Sequence, residues 1–265
     1  MTPTPTRTSP SDRASWATTP TDLRGRTVLV VGGTGGVGEG VVAELLDDGA
    51  SVVATGRDAG RMSALAERNP TGRLHLEPLD AMAPDLAGDV RRIVETYGRF
   101  DGVAVAVASW GDQGRRPALA LDDTQWQHLL DANLTSVFRL FRELVPATTP
   151  TGTILQLNGL SADLPFPGAA AVALSAAATK SLTLTLAAEL GTRGPRVYQV
   201  VLGVVRTRAR QDAGVDDPGW LDGTEVGAHV AGLVAGTSPL AGVALHYLVD
   251  KVAGPQPGSD QHRRA

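Results

Sequence analysis

The chain has no cysteine, which excludes thiol nucleophiles, thiolate metal sites, disulfides and thiol redox switching. Aromatic residues supply only 4% of it, and the only lysines are Lys180 and Lys251. That shortage beside abundant arginine fits a GC-rich genome better than any functional reason. The net charge is −4, so the basic surplus needed by a nucleic-acid partner is missing. The N-terminus has no apolar signal core, and no uninterrupted apolar run reaches the ~18 residues of a membrane span. The five histidines, His75, His128, His229, His246 and His262, lack metal-ligand spacing. These absences lead us to expect a soluble, cytoplasmic protein with no metal, membrane or nucleic-acid partner.

What remains is aliphatic and regular. A chain of 265 residues suits one α/β domain. Residues 1–23 are rich in Thr, Pro and Ser without apolar periodicity and read as a disordered arm. Residues 24–252 read as the domain, and 253–265 as a flexible polar tail. Within the domain, apolar runs predict strands at 27–31, 51–55, 73–77, 102–108, 153–158, 196–202 and 243–249. Helical patterns fall between them at 36–48, 58–68, 85–97, 122–144, 169–190 and 224–235. Asp58, Asp122 or Asp123, and Thr224 stand as candidate N-caps. This alternation predicts a Rossmann-type, doubly wound, seven-stranded parallel sheet in a single domain.

The first strand runs straight into Gly32-Gly33-Thr34-Gly35-Gly36-Val37-Gly38. Glycine permits a tight strand-to-helix turn and close approach of backbone to a pyrophosphate, which the next helix's N-terminus then favours. The loop follows a predicted strand and opens a predicted helix, the context this motif requires. The cofactor preference is read at the end of the second strand. A carboxylate there would bind the ribose 2′-hydroxyl of NAD, whereas arginine suits the 2′-phosphate of NADP. This chain has no carboxylate at Thr55-Gly56, and Arg57 follows, so the expected cofactor is NADP(H).

With these segments in order, residues 24–252 resemble the short-chain dehydrogenase/reductase family. The glycine loop carries the resemblance, with Gly32, Thr34, Gly36, Val37 and Gly38 at the cofactor-binding positions. Leu79-Asp80 is similar to the segment whose aspartate contacts adenine. Asp131-Ala132-Asn133-Leu134 resembles the family's asparagine-bearing helix, which implies a catalytic role for Asn133. Thr185 to Leu190 matches the end of the catalytic helix, and Leu202-Gly203 with Thr207 resembles the stretch beside the nicotinamide. The family's helices corresponding to 122–144 and 169–190 commonly meet across a dimer, so the resemblance implies a homodimer or homotetramer.

The chain departs from that pattern where the chemistry should be. Val105-Ala106-Val107-Ala108 replaces the family's Asn-Asn-Ala-Gly, Gly159 falls at the serine, and Val172 and Ala176 replace the tyrosine and lysine. An unassisted phenol near pKa ~10 is already a poor base, and valine and alanine are no base at all. Of the three tyrosines only Tyr247 has a lysine four residues on, Lys251, and that spacing reads as chance. Lys180 lies about one helical turn past Ala176, and snorkelling to solvent is its commoner fate. Ser161 and Asp163 could move a proton, although loop capping is the commoner use. Trp110, Asp112, Gln113 and Asn158 lie where a small-molecule substrate would bind, with Trp110 able either to stack on it or to cover the sheet edge. Two readings stand. One is an atypical oxidoreductase-like enzyme that reduces an activated substrate or performs a non-redox step on a small organic, polyketide-like compound. The other is a non-catalytic pseudoenzyme that binds nucleotide or partners an active homologue. An open pocket at Trp110, Asn158, Ser161 and Asp163 favours the first, and a filled one the second.

Overall fold

The computed structural model describes residues 13–112 and 114–258. β1 (Thr27–Val31), α1 (Gly36–Asp47), β2 (Ser51–Gly56), α2 (Ala59–Arg68), β3 (Leu74–Pro78), α3 (Leu86–Tyr97) and β4 (Phe100–Val105) make the first half. There follow α4 (Asp123–Leu130), a π-helical turn (Asp131–Thr135), α5 (Ser136–Ala147), β5 (Thr148–Gly159), α6 (Ala170–Leu190) and β6 (Arg196–Leu202). The remainder comprises β7 (Val205–Arg206), α7 (Arg208–Asp212), β8 (Leu221–Asp222), α8 (Gly223–Ala235), β9 (Leu245–Leu248) and β10 (Gln256–Pro257). The main sheet has the order β10-β9-β6-β5-β4-β1-β2-β3. Its first seven strands in sequence, without the β7–β8 pair, are parallel, and the strand order reverses between β1 and β4. This is a Rossmann-like fold, and ligands in such sheets lie beyond the carboxyl ends of the strands at that reversal.

Alternate residues of each strand feed two apolar layers. Val28, Val30, Leu155, Tyr198 and Leu202 pack toward α1 and α8. Leu29, Val31, Val103, Ile154 and Val197 pack toward α3, α5 and α6. Each fully buried side chain of this kind contributes about 1.5–3 kcal/mol. The α1–α8 contact is close because glycines make it: Gly40 faces Gly223, and a side chain on Gly227 would meet Glu44 Cβ at 2.5 Å.

Several sequence expectations change. An eighth strand, β10, pairs antiparallel with β9, so Gln256 and Pro257 belong to the sheet and not to a loose tail; residues 259–265 lie outside the described residues. Residues 13–23, assigned by composition to a disordered arm, pack on the domain. Leu23 is buried, Arg13 pairs with Glu44 at 2.6 Å, and the Trp16 indole donates to Lys251 O at 2.8 Å. The arm's remainder, 1–12, is also outside the described residues. The expected helix over 122–144 is interrupted by the π turn and runs on through Pro146 to Ala147. The last helix is capped by Asp222 in a capping box with Glu225, not by Thr224. Asp58 and Asp122 cap as expected, accepting from Arg61 N and Gln125 N.

α6 is the one described helix long and apolar enough to cross a membrane by length and hydropathy. Here it lies on the sheet through a polar stripe of Ser175, Thr179 and Thr183. Gln156 Nε2 donates to Thr179 Oγ1 at 3.0 Å, and Thr183 Oγ1 donates to Gln156 Oε1 at 3.0 Å. Its outward side carries Leu174, 47% exposed, and Phe138 of α5 is equally exposed.

On the opposite layer His229 of α8 meets His246 of β9, Nε2 to Nδ1, at 2.9 Å. His246 Nε2 also faces the carbonyls of Leu240 and Val243, so it carries the proton and His229 Nε2 donates. Burial, and then His246, push the His229 pKa from 6.5 down to about 3. A depressed histidine stabilises the fold above its unfolded pKa, and that contribution is lost as pH falls. Between pH 6.5 and about 3 the wild type therefore loses up to ~1.4 kcal/mol per pH unit more than His229→Gln. Urea midpoints across that range check this, and parallel slopes for the two proteins would refute it.

Candidate functional site

The turn after β1 is built by steric necessity. Gly32 adopts φ +79°, and a Cβ on it would meet Ala106 O at 2.5 Å. Its N–H donates to Thr55 Oγ1 at 3.4 Å, and Gly35 N donates to Gly32 O at 2.9 Å. A side chain on Gly38 would collide with Gly32 O. The loop is thereby folded tightly under the start of α1, whose N-cap, Gly35, has no capping side chain. The first-turn N–H groups there have no intrahelical acceptor and present positive charge. Half-buried Val37 and exposed Gly36 form the mouth. Thr207 sits directly on Gly36, at 2.6 Å from where a Cβ would be. Thr34 lies against Gly56, joining the loop to the end of β2.

Arg57 is exposed immediately after β2. The nearest following carboxylate, Asp58, accepts from Arg61 N at 2.7 Å and so caps α2. Asp80 Oδ1 accepts from Met82 N at 3.0 Å, which sets the turn after β3, while Leu79 N is held by Gly56 O. The donor set of this crevice is therefore a glycine cradle, a bare helix start and one outward-facing guanidinium. Such a set fits a phosphorylated dinucleotide.

The carboxyl edge beyond β4 and β5 is held by side-chain hydrogen bonds. Asn133 sits in the π turn, 7% exposed, with its amide fully engaged. Its Oδ1 accepts from Ser109 N at 2.8 Å, and its Nδ2 donates to Ser109 O and Leu129 O, both at 2.9 Å. It positions the loop after β4. Asn158, expected at the substrate, donates to Ala176 O at 2.8 Å and accepts from Gly159 N at 2.9 Å, tying β5 to α6. Ser161 lies half-buried in a 3₁₀ turn, Leu160–Ala162. Trp110 is 40% exposed, and the Arg115 guanidinium lies 5.3 Å from its ring centre and 5.7 Å from that of Phe166. Arg116 N donates to Gly168 O at 3.0 Å, which closes the loop after β4 onto the loop before α6. Between them is a shallow cleft bordered by Trp110, Arg116, Leu129, Gly168 and Val172, with a cavity volume of about 10 Å³. That is below the usual volume of a ligand pocket, about 300–1,000 Å³. Asp112 is exposed beside it, and Gln113 lies outside the described residues.

One grouping escaped sequence reasoning. Lys180 does not snorkel freely but pairs with Asp163, and the Tyr247 hydroxyl interacts with both. Burial raises the Tyr247 pKa; Lys180 lowers it and Asp163 raises it. No periodicity could reveal this, because the three residues come from a turn, a helix and the strand β9.

The comparisons agree with this architecture. The family model described as enoyl-(acyl carrier protein) reductase matches residues 32–253. A 3beta-hydroxysteroid dehydrogenase of Mediterraneibacter gnavus is 33% identical over 172 residues, which cover 63% of this chain and 61% of that protein. Sulfoacetaldehyde reductase 2 of Chromohalobacter salexigens is 28% identical, with 80% of this chain and 88% of that one covered. Among solved structures, a short-chain dehydrogenase/reductase of Serratia marcescens superposes with a TM-score of 0.71 at 26% identity, covering 80% of this chain and 91% of that one. A short chain dehydrogenase of Burkholderia cenocepacia, solved in complex with NADP, gives a TM-score of 0.73 at 24% identity, covering 87% and 98%. With a family model matching residues 32–253, well over half of its length, this chain belongs to the short-chain dehydrogenase/reductase family.

Proposed function

We propose that this chain is an NADP(H)-dependent, oxidoreductase-like enzyme that acts on a small organic substrate without the family's Tyr-x3-Lys pair. The observation that carries it is the pairing of an intact glycine cradle with Arg57, beside an Asp58 already engaged as a helix cap. Gly32, Thr34, Gly36, Val37 and Gly38 would hold the pyrophosphate, Arg57 the 2′-phosphate, Asp80 the adenine side and Thr207 the nicotinamide side. The bound group supplies or accepts a hydride. The relative solved with NADP supports the choice of cofactor class by its fold.

The protein works in the cytoplasm as a homodimer or homotetramer through the outward faces of α5 and α6, where Phe138 and Leu174 are exposed. The losses at Val172 and Ala176 fall on the nicotinamide half, so binding is weaker than in a complete member and little affected by oxidation state. The pseudoenzyme reading draws on one observation, the small cleft at Val172. Calorimetric titration with NADPH and NADH tests the cofactor assignment, and NADPH turnover with activated carbonyl substrates separates the enzyme from a nucleotide-binding pseudoenzyme. NADPH is expected to bind at least about tenfold more tightly, a difference of ~1.4 kcal/mol. Absence of heat with either nucleotide removes the oxidoreductase reading.

A further inference from the structure

Residues 13–17 dock on a buried charged cluster between α1 and α8. Arg13 pairs with Glu44 of α1, and Ala14 N donates to Glu225 Oε1 of α8 at 2.8 Å. The Trp16 indole donates to Lys251 O, and its ring lies so close to Gly254 that a Cβ there would meet it at 2.7 Å. Two of these contacts converge on Asp222. Glu225 accepts from Asp222 N at 2.9 Å through its other oxygen, Oε2, and Lys251 Nζ donates to Asp222 Oδ2 at 2.8 Å. Glu225 is fully buried and Asp222 nearly so, and a buried carboxylate is costly to leave without its cation. The remaining oxygen, Asp222 Oδ1, accepts from Arg206 Nη1 at 3.2 Å.

Arg206 stands immediately before Thr207. Val205 and Arg206 pair in register with Leu221 and Asp222, and residues 208–219 between these two short strands are all exposed. A segment with so few buried contacts opens at little cost unless its base is held. Asp216 also grips Arg206, at 2.7 and 2.8 Å, but it lies within the segment and moves with it. Asp222 holds the base, and the arm holds the partners of Asp222. Thr207 is seated on Gly36 by this arrangement, and its side chain makes no capping bond to α7, so the hydroxyl is available to a ligand.

We propose that residues 13–17 are a strap that seats Thr207 at the mouth of the nucleotide loop, with Asp222 as the positioning residue through which it acts. The proposal rests on the cofactor reading above and adds a conformational control to it. With the strap docked, the β7–β8 pair is shut and Thr207 stands beside the glycines before nucleotide arrives. With the strap released, Lys251 loses its backbone anchor and Glu225 loses a donor, so the segment spends part of its time open. A ligand that needs the seated form then binds in proportion to the seated fraction. The loss falls on the part common to both nucleotides, so NADPH and NADH weaken together.

The test uses the full chain carrying Trp16→Ala, with Lys251→Met as a second variant that cuts the same connection at its other end. Trypsin digestion without nucleotide, read by mass spectrometry, reports the opening. Cleavage after Arg208 and Arg210 should accelerate about tenfold in both variants, a coupling of ordinary size, while cleavage after Arg91 and Arg92 of α3 keeps the wild-type rate. Calorimetry should show NADPH and NADH weakened by the same factor, about tenfold. Unchanged cleavage after Arg208 and Arg210 overturns the strap. Equal acceleration in α3 overturns it too, because the arm then supports the whole domain and not this segment. Local opening with unaltered nucleotide affinity overturns the link to Thr207. Wild type that binds neither nucleotide overturns the cofactor reading and the nucleotide half of this proposal, and the digestion still decides the strap.

Discussion

Asn133→Ala is expected to lower the melting temperature by about 10 °C. The side chain makes three hydrogen bonds, two of them to the backbone of Ser109 and one to Leu129 O. The site is buried, and water cannot easily replace an amide there. An orphaned buried donor or acceptor costs about 1–3 kcal/mol. Losing both Ser109 partners and the helix contact should therefore cost about 3–5 kcal/mol. In a domain of this size each kcal/mol moves the transition by roughly 2–4 °C. Thermal unfolding followed by circular dichroism reads the shift directly. A change under about 2 °C would falsify the view that this amide holds the loop after β4, and would return Asn133 to the list of groups available to a ligand.

The second large effect concerns Arg57. Arg57→Ala should weaken NADPH binding by about 100-fold while changing NADH binding by no more than about threefold. Hydrogen bonds to a charged group contribute about 1.5–3 kcal/mol, and each 1.4 kcal/mol is tenfold in affinity. The guanidinium is exposed, which places the effect toward the lower part of that range for each bond, but a phosphate takes two. Asp58 remains the cap of α2 in the variant, so the fold is untouched. Paired titrations with both nucleotides are the measurement. Equal losses for NADPH and NADH would show that Arg57 supports the loop and reads no 2′-phosphate.

The fold was legible in the sequence because its signals are local. Val28 to Val31 form a buried strand because β-branched residues suit it, Gly32 is demanded by its positive φ, and Gly38 by contacts within the same turn. Asp58 and Asp122 cap helices for reasons contained within four residues. The candidate site was legible only where its chemistry is equally local. Asn133 could be matched by its helix, but its partner Ser109 is 24 residues away, so its engagement could not be read. Asp163 and Lys180 are 17 residues apart, and Tyr247 comes from another strand. Composition misled at both ends of the domain for the same reason. A Thr- and Pro-rich stretch looks unable to fold, yet Trp16 finds the carbonyl of Lys251 across almost the whole chain, and Gln256 finds Tyr247 of β9 in a pairing that its polar composition does not announce.

β10 carries a further consequence. An uncovered border strand offers a row of backbone groups to any other extended chain, and this is how soluble sheets begin to aggregate. Here the border beside β9 is occupied by two residues, one of which is Pro257. Proline has no N–H to donate, so a further strand loses one ladder hydrogen bond by docking there. At the opposite border β3 also finishes on a proline, Pro78. Both rims of the sheet thus end on a residue that cannot propagate a ladder. Deleting residues from Gln256 onward would expose β9, with its apolar Leu245 and Leu248, as a template for intermolecular pairing in concentrated solution.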